Sequence, residues 1–312
     1  MKALIIGAAG FVGGYLIDHL QNDCGWSIVA TKLAHETIEY KNITIYDLDI
    51  LDSKSIITLL QNEKPDYIIH LAAQSSVSLS WKDPSLTIDI NIKGSVNVLD
   101  AIRAIPEYAP RILLIGSGEE YGRILPTETP VKETTVLRPG NIYAATKACQ
   151  NMIGKIYADA YHMDIMMVRA FNHIGPNQSP IFVVSDFCKQ VADIEKGRLD
   201  PVIYVGNLSA KRDFTDVRDV VRAYSLILQK GQRGETYNVG SGISIEIRDI
   251  LNRILKLSKS DIHVIVDEKK LRPVDVPDIE ADTKKLAQCV QWVPQISLDT
   301  TLLETLNFWR NN

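Results

Sequence analysis

Through the first 170 residues, short apolar, β-branched runs alternate with longer stretches in which apolar side chains recur every three to four positions. The runs KALIIG, WSIVAT, NITIYD, DYIIHLA, RILLIG and MDIMMVRA read as strands, and the segments between them as helices. Strands so uniformly apolar are buried on both faces, which predicts an α/β protein with a parallel sheet and helices on each side. The two longest helices are predicted over about 84–105 and 141–162, where KDP and RPG supply the punctuation.

Beyond Ala170 the pattern becomes irregular, because NHIGPNQSP, GNLSAKRDF and LRPVDVP interrupt the helical periodicity. That suits a smaller lobe whose loops face the carboxyl ends of the strands, with a ligand held between the lobes. YNVGSGIS at 237–244 reads as a strand, a turn and a helix start. Asp213, Asp216 and Asp219 read as structural, holding loops and capping a helix that runs to about Leu228.

Composition narrows the function classes. With 312 residues, 46% hydrophobic, the chain can bury a large core as one α/β unit or two interlocked domains. The 34 basic and 38 acidic residues leave a net charge of -4 with no basic run, so no electrostatic footprint for nucleic acid or an anionic membrane is present. No apolar segment approaches the roughly 20 residues of a membrane span, and MKALIIGAAG breaks at Gly7, too early for a signal peptide; a cytoplasmic location is expected. Cys24, Cys149, Cys188 and Cys289 show neither paired nor metal-ligand spacing and read as reduced thiols, with no metal implied.

The segment ALIIGAAGFVGGYLIDHL places Gly7, Gly10 and Gly13 between a strand and an amphipathic helix, with Phe11 and Val12 inside the turn. Missing side chains let the backbone approach a pyrophosphate, and the helix amino terminus offers free N–H groups and partial positive charge. The reading is a doubly wound, Rossmann-like dinucleotide-binding sheet. At the end of the second strand stand Thr31 and Lys32, where an NAD enzyme is expected to carry an acid for the ribose hydroxyls. A cation there pairs with a 2′-phosphate, which favours NADP(H) and leaves NAD(H) open. Asp49 follows the third strand and is placed at the adenine, while Asp52 fits better as a helix cap.

In NIYAATKACQ, Tyr143 and Lys147 lie four apart and share a helix face. An ammonium beside a phenol favours the phenolate, although such a pair taken alone is more often a surface pair. In IGSGEEYG, Ser117 and Glu119 stand two apart at the end of a buried strand.

The glycine turn, HLAA at 70–73, Asn91, Ser117 and Tyr143 with Lys147, in that order, make the chain resemble the extended short-chain dehydrogenase/reductase family over essentially its whole length. The resemblance implies that Ser117 orients a substrate carbonyl and Tyr143 exchanges the proton. Lys147 lowers the tyrosine pKa and holds the nicotinamide ribose, and Asn91 supports the helix and a water relay. It also sets Ile50, Leu71, Ala72 and Ala73 along the cofactor. Ile142 departs from the proline often found before the tyrosine, and a small change in helix entry is expected.

FNHIGP at 171–176, VGNLSAKRDFTDVRDV and LRPVDVP are similar to the branch acting on GDP-linked 6-deoxyhexoses. That similarity implies Asn172 at the sugar or diphosphate, Arg212 and Arg272 clamping the diphosphate, and Asn207 and Lys211 at the guanine end. Singly, each arginine reads as a rim salt bridge and Asn172 as a turn residue. The implied domains are 1–170 with 213–240 for the dinucleotide, and 171–212 with 241–312 for the nucleotide sugar. The implied reaction is NADP(H)-dependent reduction of a GDP-linked 6-deoxy-4-ketohexose, GDP-4-keto-6-deoxy-D-mannose, to GDP-D-rhamnose. The alternative is 4,6-dehydration of GDP-mannose with Glu119 as base. Gly118 speaks against that alternative, since the dehydratase pattern is Thr-Ser-Glu. A non-catalytic nucleotide-binding relative is a further reading. The resemblance also implies a homodimer packed through the two long helices; Gly94, Val98, Ala148 and Met152 suit that contact and equally an ordinary core.

Overall fold

The computed structural model of the chain describes residues 1–270 and 276–312. Arg272 therefore lies outside the described residues. The strands are β1 (Lys2–Ile6), β2 (Ser27–Lys32), β3 (Thr44–Asp47), β4 (Tyr67–His70), β5 (Arg111–Ser117), β6 (Ile165–Ala170), β7 (Asn172–Ile174), β8 (Val202–Val205), β9 (Lys211–Asp216), β10 (Thr236–Val239), β11 (Ser244–Glu246), β12 (His263–Val266) and β13 (Asp278–Ile279). The helices are α1 (Phe11–Asp18), α2 (Ser53–Glu63), α3 (Val77–Lys82), α4 (Pro84–Ile88), α5 (Ser95–Arg103), α6 (Ile142–Ala160), α7 (Val183–Glu195), α8 (Val217–Lys230), α9 (Ile247–Lys256), α10 (Lys284–Val290) and α11 (Leu298–Asn311).

All six strand runs form strands. They join β10 in a seven-stranded sheet of order β10-β6-β5-β4-β1-β2-β3, parallel throughout. The order reverses at β1, which places the glycine turn at the switch point where such sheets bind ligands. On one face α1 and α8 contribute Leu16, Ile17, Val220, Val221 and Ile227 to the core, joined by Leu20 of the π-helical turn after α1. On the other, α2 and α5 contribute Ile56, Leu60, Val98, Leu99 and Ile102. Each such side chain contributes about 1.5–3 kcal/mol when fully buried, which explains why the apolar runs were so readable.

A four-stranded sheet built on β9, flanked by β11 and β13 and also paired with β7, forms the second layer. Behind it Phe187, Val191, Ile250, Ile254, Leu302 and Leu306 pack together from α7, α9 and α11. Asp216 caps α8 by accepting the Arg218 N–H at 2.8 Å. Asp213 accepts from the N–H groups of Ser241, Gly242 and Ala281, and Asp219 from those of Gln295 and Ile296. All three aspartates thus play the structural part expected of them. Asp52 caps α2 as expected.

Two expectations change. The stretch 237–244 does not lead straight into a helix: Ser244–Glu246 first pair antiparallel with β9, so α9 begins only at Ile247. The predicted helix over 84–105 is α4, a π-helical turn at Asp89–Gly94, and α5. Gly94, Val98 and Ala148, expected at a subunit contact, are buried within the chain itself, and a Cβ on Gly94 would meet the Ile50 side chain at 2.4 Å. Met152, in contrast, is 56% exposed. Among the described residues no helix is long and apolar enough to cross a membrane.

Candidate active site

The turn after β1 is built for close approach. Gly7 has φ +83°, and a Cβ there would lie 2.6 Å from Ala72 Cα; one on Gly13 would lie 2.0 Å from the Ala8 carbonyl oxygen. Gly10 has open space and caps α1 without a side-chain bond; after it the half-buried Phe11 stacks on His173 and Val12 packs against the core. Leu71 and Ala72 donate their N–H groups to the Ile6 carbonyl at 3.0 and 2.8 Å, which brings the 71–73 segment, with Ala73, beside the turn. A dinucleotide pyrophosphate fits this cradle: the donors are present and no Cβ obstructs it.

Thr31 is placed differently from the expectation. It is buried, and its hydroxyl accepts the Gly7 N–H at 3.1 Å, so it holds the turn and does not face a ribose. Lys32 is ion-paired with Asp47. Asp49 is exposed and accepts the Leu51 N–H at 2.9 Å, while Ile50 is buried beneath Gly94.

Strand β5 delivers the candidate catalytic cluster. At its end the Ser117 hydroxyl accepts the Glu119 N–H at 3.2 Å, and α6 begins under the cap of Asn141, whose side chain accepts the Ala144 N–H at 2.8 Å. That cap supplies the helix entry where Ile142 replaces proline. Tyr143 is buried in the first turn, and its phenol is pushed up to about 12: burial leads, the hydrogen bond with Ser117 opposes, and the Glu119 and Glu120 carboxylates add to the rise.

Lys147 is buried as well, and its ammonium donates to the Ile115 carbonyl at 2.7 Å and to Gln150 Oε1 at 2.9 Å. Burial lowers it to about 8, with Glu120 pulling the other way. In the chain alone burial thus works against the expected lysine-stabilised phenolate, and the Lys147 ammonium donates to the strand carbonyl and to Gln150.

Asn91 supports α6, as the resemblance implies. Its Oδ1 accepts the Gln74 N–H at 2.8 Å, and its Nδ2 donates to the Gln74 carbonyl at 3.0 Å and Thr146 Oγ1 at 2.9 Å. Both ends of the amide are engaged in tying the 74 loop to the helix. Glu119 is half-buried at the mouth of the cluster, within 3.4 Å of Asn141 Nδ2. Gly118 sits under the Phe171 ring, where a Cβ would lie 3.1 Å from the nearest ring carbon. The absent hydroxyl at 118 therefore has a packing cause.

Of the residues expected at the sugar and guanine, Asn172, Lys211 and Arg212 lie on the second sheet and Asn207 in the turn before β9. Asn172 opens β7 immediately after Phe171 and is paired in register with Phe214 of β9. Lys211 and Arg212 open β9. Lys211 is exposed, with Nζ 4.0 Å from Asp278 Oδ2. Arg212 is buried and donates to the carbonyls of Lys211 and Val276 at 2.8 and 2.6 Å, tying the approach to β13 onto β9. Asn207 is exposed and accepts from the Ser209 N–H and hydroxyl at 3.0 and 2.8 Å, a turn geometry.

Sequence reasoning missed a buried polar network beneath Ser117. Glu120 is fully buried, accepts the Ser117 N–H at 2.9 Å and pairs with Arg169 Nε at 2.8 Å. Arg169 continues to the Tyr121 hydroxyl, which donates to Asn238 Oδ1 at 2.6 Å. A lone arginine inside the otherwise apolar IMMVRA strand was the available signal, since a buried cation demands a carboxylate. His70, also buried, binds the Ser95 hydroxyl through Nε2, while its Nδ1 has no hydrogen-bond partner among the described residues.

A family profile described as GDP-mannose 4,6 dehydratase matches residues 4–305. The chain is 28% identical over 311 residues to a GDP-6-deoxy-D-mannose reductase of Pseudomonas aeruginosa, covering 99% of this chain and 97% of that one. It is 29% identical over 339 residues to the human GDP-mannose 4,6 dehydratase, covering 98% and 90%. Among solved structures, RMD from Pseudomonas aeruginosa complexed with NADPH superposes with a TM-score of 0.89 at 28% identity, covering 100% of this chain and 99% of that one. The Thermus thermophilus UDP-glucose 4-epimerase in complex with NAD gives 0.89 at 27%, covering 99% of each.

Proposed function

The chain belongs to the GDP-mannose 4,6-dehydratase family and is an enzyme acting on a GDP-linked sugar, and from that premise we propose that it is an NADP(H)-dependent reductase of GDP-4-keto-6-deoxy-D-mannose, giving GDP-D-rhamnose. What supports this reading is the likeness over 99% of the chain to a GDP-6-deoxy-D-mannose reductase, together with the Ser117, Tyr143 and Lys147 arrangement. Tyr143, its phenol raised by burial, suits a ketone that becomes an alcohol. A dehydratase must begin by oxidising the carbon 4 hydroxyl, for which the same side chain has to serve as base. The glycine at 118, under Phe171, points the same way.

In this reading the Ser117 hydroxyl donates to the carbonyl oxygen and Tyr143 transfers its proton to that oxygen. Burial of both groups excludes water from the exchange. Lys147 compensates the negative charge left on the phenolate, and the phenol regains its proton from solvent once product has left. Bound NADPH supplies hydride to the carbonyl carbon. It would be held by the cradle of Gly7, Gly10 and Gly13 with Lys32 toward the 2′-phosphate, and NAD(H) remains an admissible substitute. Asn172, Asn207, Lys211 and Arg212 hold the sugar and GDP, with Arg212 suited to a diphosphate by its planar fork.

A second reading, GDP-mannose 4,6-dehydration, is favoured by one observation: Glu119 stands two residues after Ser117, at the open side of Tyr143. Cofactor stoichiometry separates the two. The reductase oxidises one NADPH per 4-keto-6-deoxy sugar and leaves GDP-mannose untouched; conversion of GDP-mannose to a ketone without net cofactor turnover would establish the dehydratase.

A cytoplasmic homodimer belongs to the same proposal. Met152 and Ile156 of α6, with Ile88 of α4 and Trp81 of α3, form an exposed apolar surface on packed helices that a second copy would cover. Sedimentation equilibrium of M152E beside the parent chain tests it: a dimer that becomes a monomer supports the contact, and an unchanged mass removes it.

A further inference from the structure

The Glu120–Arg169 pair lies outside every role assigned so far. Glu120 sits in the single 3-10 turn (Gly118–Tyr121) that follows β5, three residues after the serine. One carboxylate oxygen accepts the Ser117 N–H at 2.9 Å and the other accepts Arg169 Nε–H at 2.8 Å. With both oxygens receiving donors, the geometry calls for the ionised form. The fit is close: a Cβ on Gly116 would lie 2.2 Å from Glu120 Oε1.

Burying a charge is costly unless it is paired and fully bonded, so such a group directly beneath a candidate catalytic serine needs an explanation beyond stability. A well-packed apolar residue would have cost less. The charges around it suggest one. Lys147 of α6 feels Glu120 as its opposing charge, and His70 of β4 feels Lys147. Tyr143 of α6 feels Glu119 and Glu120. Arg169 of β6 is faced by Glu120 and Tyr121, and Tyr121 in turn by Glu133.

We propose that Glu120 is a positioning residue of this site: anchored by Arg169, its carboxylate fixes the backbone that carries the Ser117 hydroxyl and supplies the negative charge that keeps the buried Lys147 ammonium protonated. Burial pushes the Glu120 carboxyl up to about 7, against the pull of Arg169 and the Ser117 N–H. The site therefore has its full charge pattern only between the protonation of Glu120 on the acid side and the deprotonation of Lys147 on the alkaline side. The inference rests on the Ser117–Tyr143–Lys147 chemistry proposed above but not on which GDP-sugar is turned over.

The test reads Lys147 directly. In protein labelled with ζ-15N-lysine, the resonance absent from K147M is followed with pH in the parent chain, E120Q and E120D. Glu120→Gln keeps the shape and the acceptor for Ser117 but removes the charge, so the Lys147 midpoint moves down by roughly one unit. Glu120→Asp keeps the charge and leaves the midpoint in place, while its shorter reach displaces Ser117 and lowers kcat by roughly 10- to 100-fold with KM nearly unchanged. An unmoved midpoint in E120Q, or parental kcat in E120D, overturns the proposal. If E120Q fails to fold, E120D decides alone on those two readouts. The parent chain is assayed alongside on GDP-mannose and on the 4-keto sugar. Which of them it converts judges the reaction proposed above, and the variant-to-parent ratio on that substrate judges Glu120.

Discussion

The Asn141 side chain ties Glu119 to the helix that carries Tyr143: its Nδ2 lies 3.4 Å from Glu119 Oε2 while its Oδ1 caps α6 at the Ala144 N–H. Glu119 is thus held by a neutral amide at the edge of the cluster. Ketone reduction removes no carbon-bound proton. Glu119→Gln, which preserves the contact, is expected to leave kcat within about threefold, whereas loss of a catalytic base costs roughly 10²–10⁴-fold. Steady-state kinetics on the 4-keto sugar and on GDP-mannose decide between the two.

Lys32 is the proposed determinant of the cofactor preference, and Asp47 already partly neutralises it. A 2′-phosphate has to compete for that ammonium and, being doubly charged, does so. Lys32→Ala is expected to weaken NADPH binding roughly 10- to 100-fold, the worth of a charge-assisted hydrogen bond, while NADH binding stays nearly constant. Titration calorimetry with both nucleotides checks it; equal losses for the two would move the preference elsewhere.

The buried His70 makes the fold sensitive to acid. Burial, and secondarily the Lys147 charge, lower its pKa from the ordinary 6.5 to about 3. A base whose folded pKa is depressed contributes stability that is complete above the unfolded pKa and is lost as pH falls from about 6.5 toward 3, at about 1.4 kcal/mol per unit. Lowering the pH from 7.5 to 5 should therefore cost the parent chain about 2 kcal/mol more than His70→Gln. Urea unfolding of both proteins at the two pH values measures the difference; parallel losses would show that His70 is not the group responsible.

The parallel sheet was legible because its strands are buried on both faces, and burial of that kind writes continuous apolar runs into the chain. Helix ends were legible where a capping side chain is local, as at Asp52 and Asp216. The site divides along the same line. Ser117, Tyr143 and Lys147 come together because the first turns of α6 pack on β5, whose place in the sheet was already set. What the sequence withheld was the direction of long side chains. Thr31 turns inward to Gly7, Lys32 finds Asp47, and Lys147 reaches Ile115. Those choices depend on partners 24, 15 and 32 residues away, which periodicity does not reveal. The strand β11, three residues long and paired only through β9, is too short to leave a pattern.

The central claim is that hydride passes from the nicotinamide to carbon 4 of a ketone made beforehand, with Tyr143 giving the proton. It is tested most directly with NADPH deuterated at the transferring position and the 4-keto-6-deoxy GDP-sugar. The account predicts one deuterium per product molecule, located at carbon 4 by NMR, with one NADPH consumed, and at least a hundredfold slower transfer in Tyr143→Phe. Deuterium absent from carbon 4, or undiminished transfer in the phenylalanine variant, would contradict it.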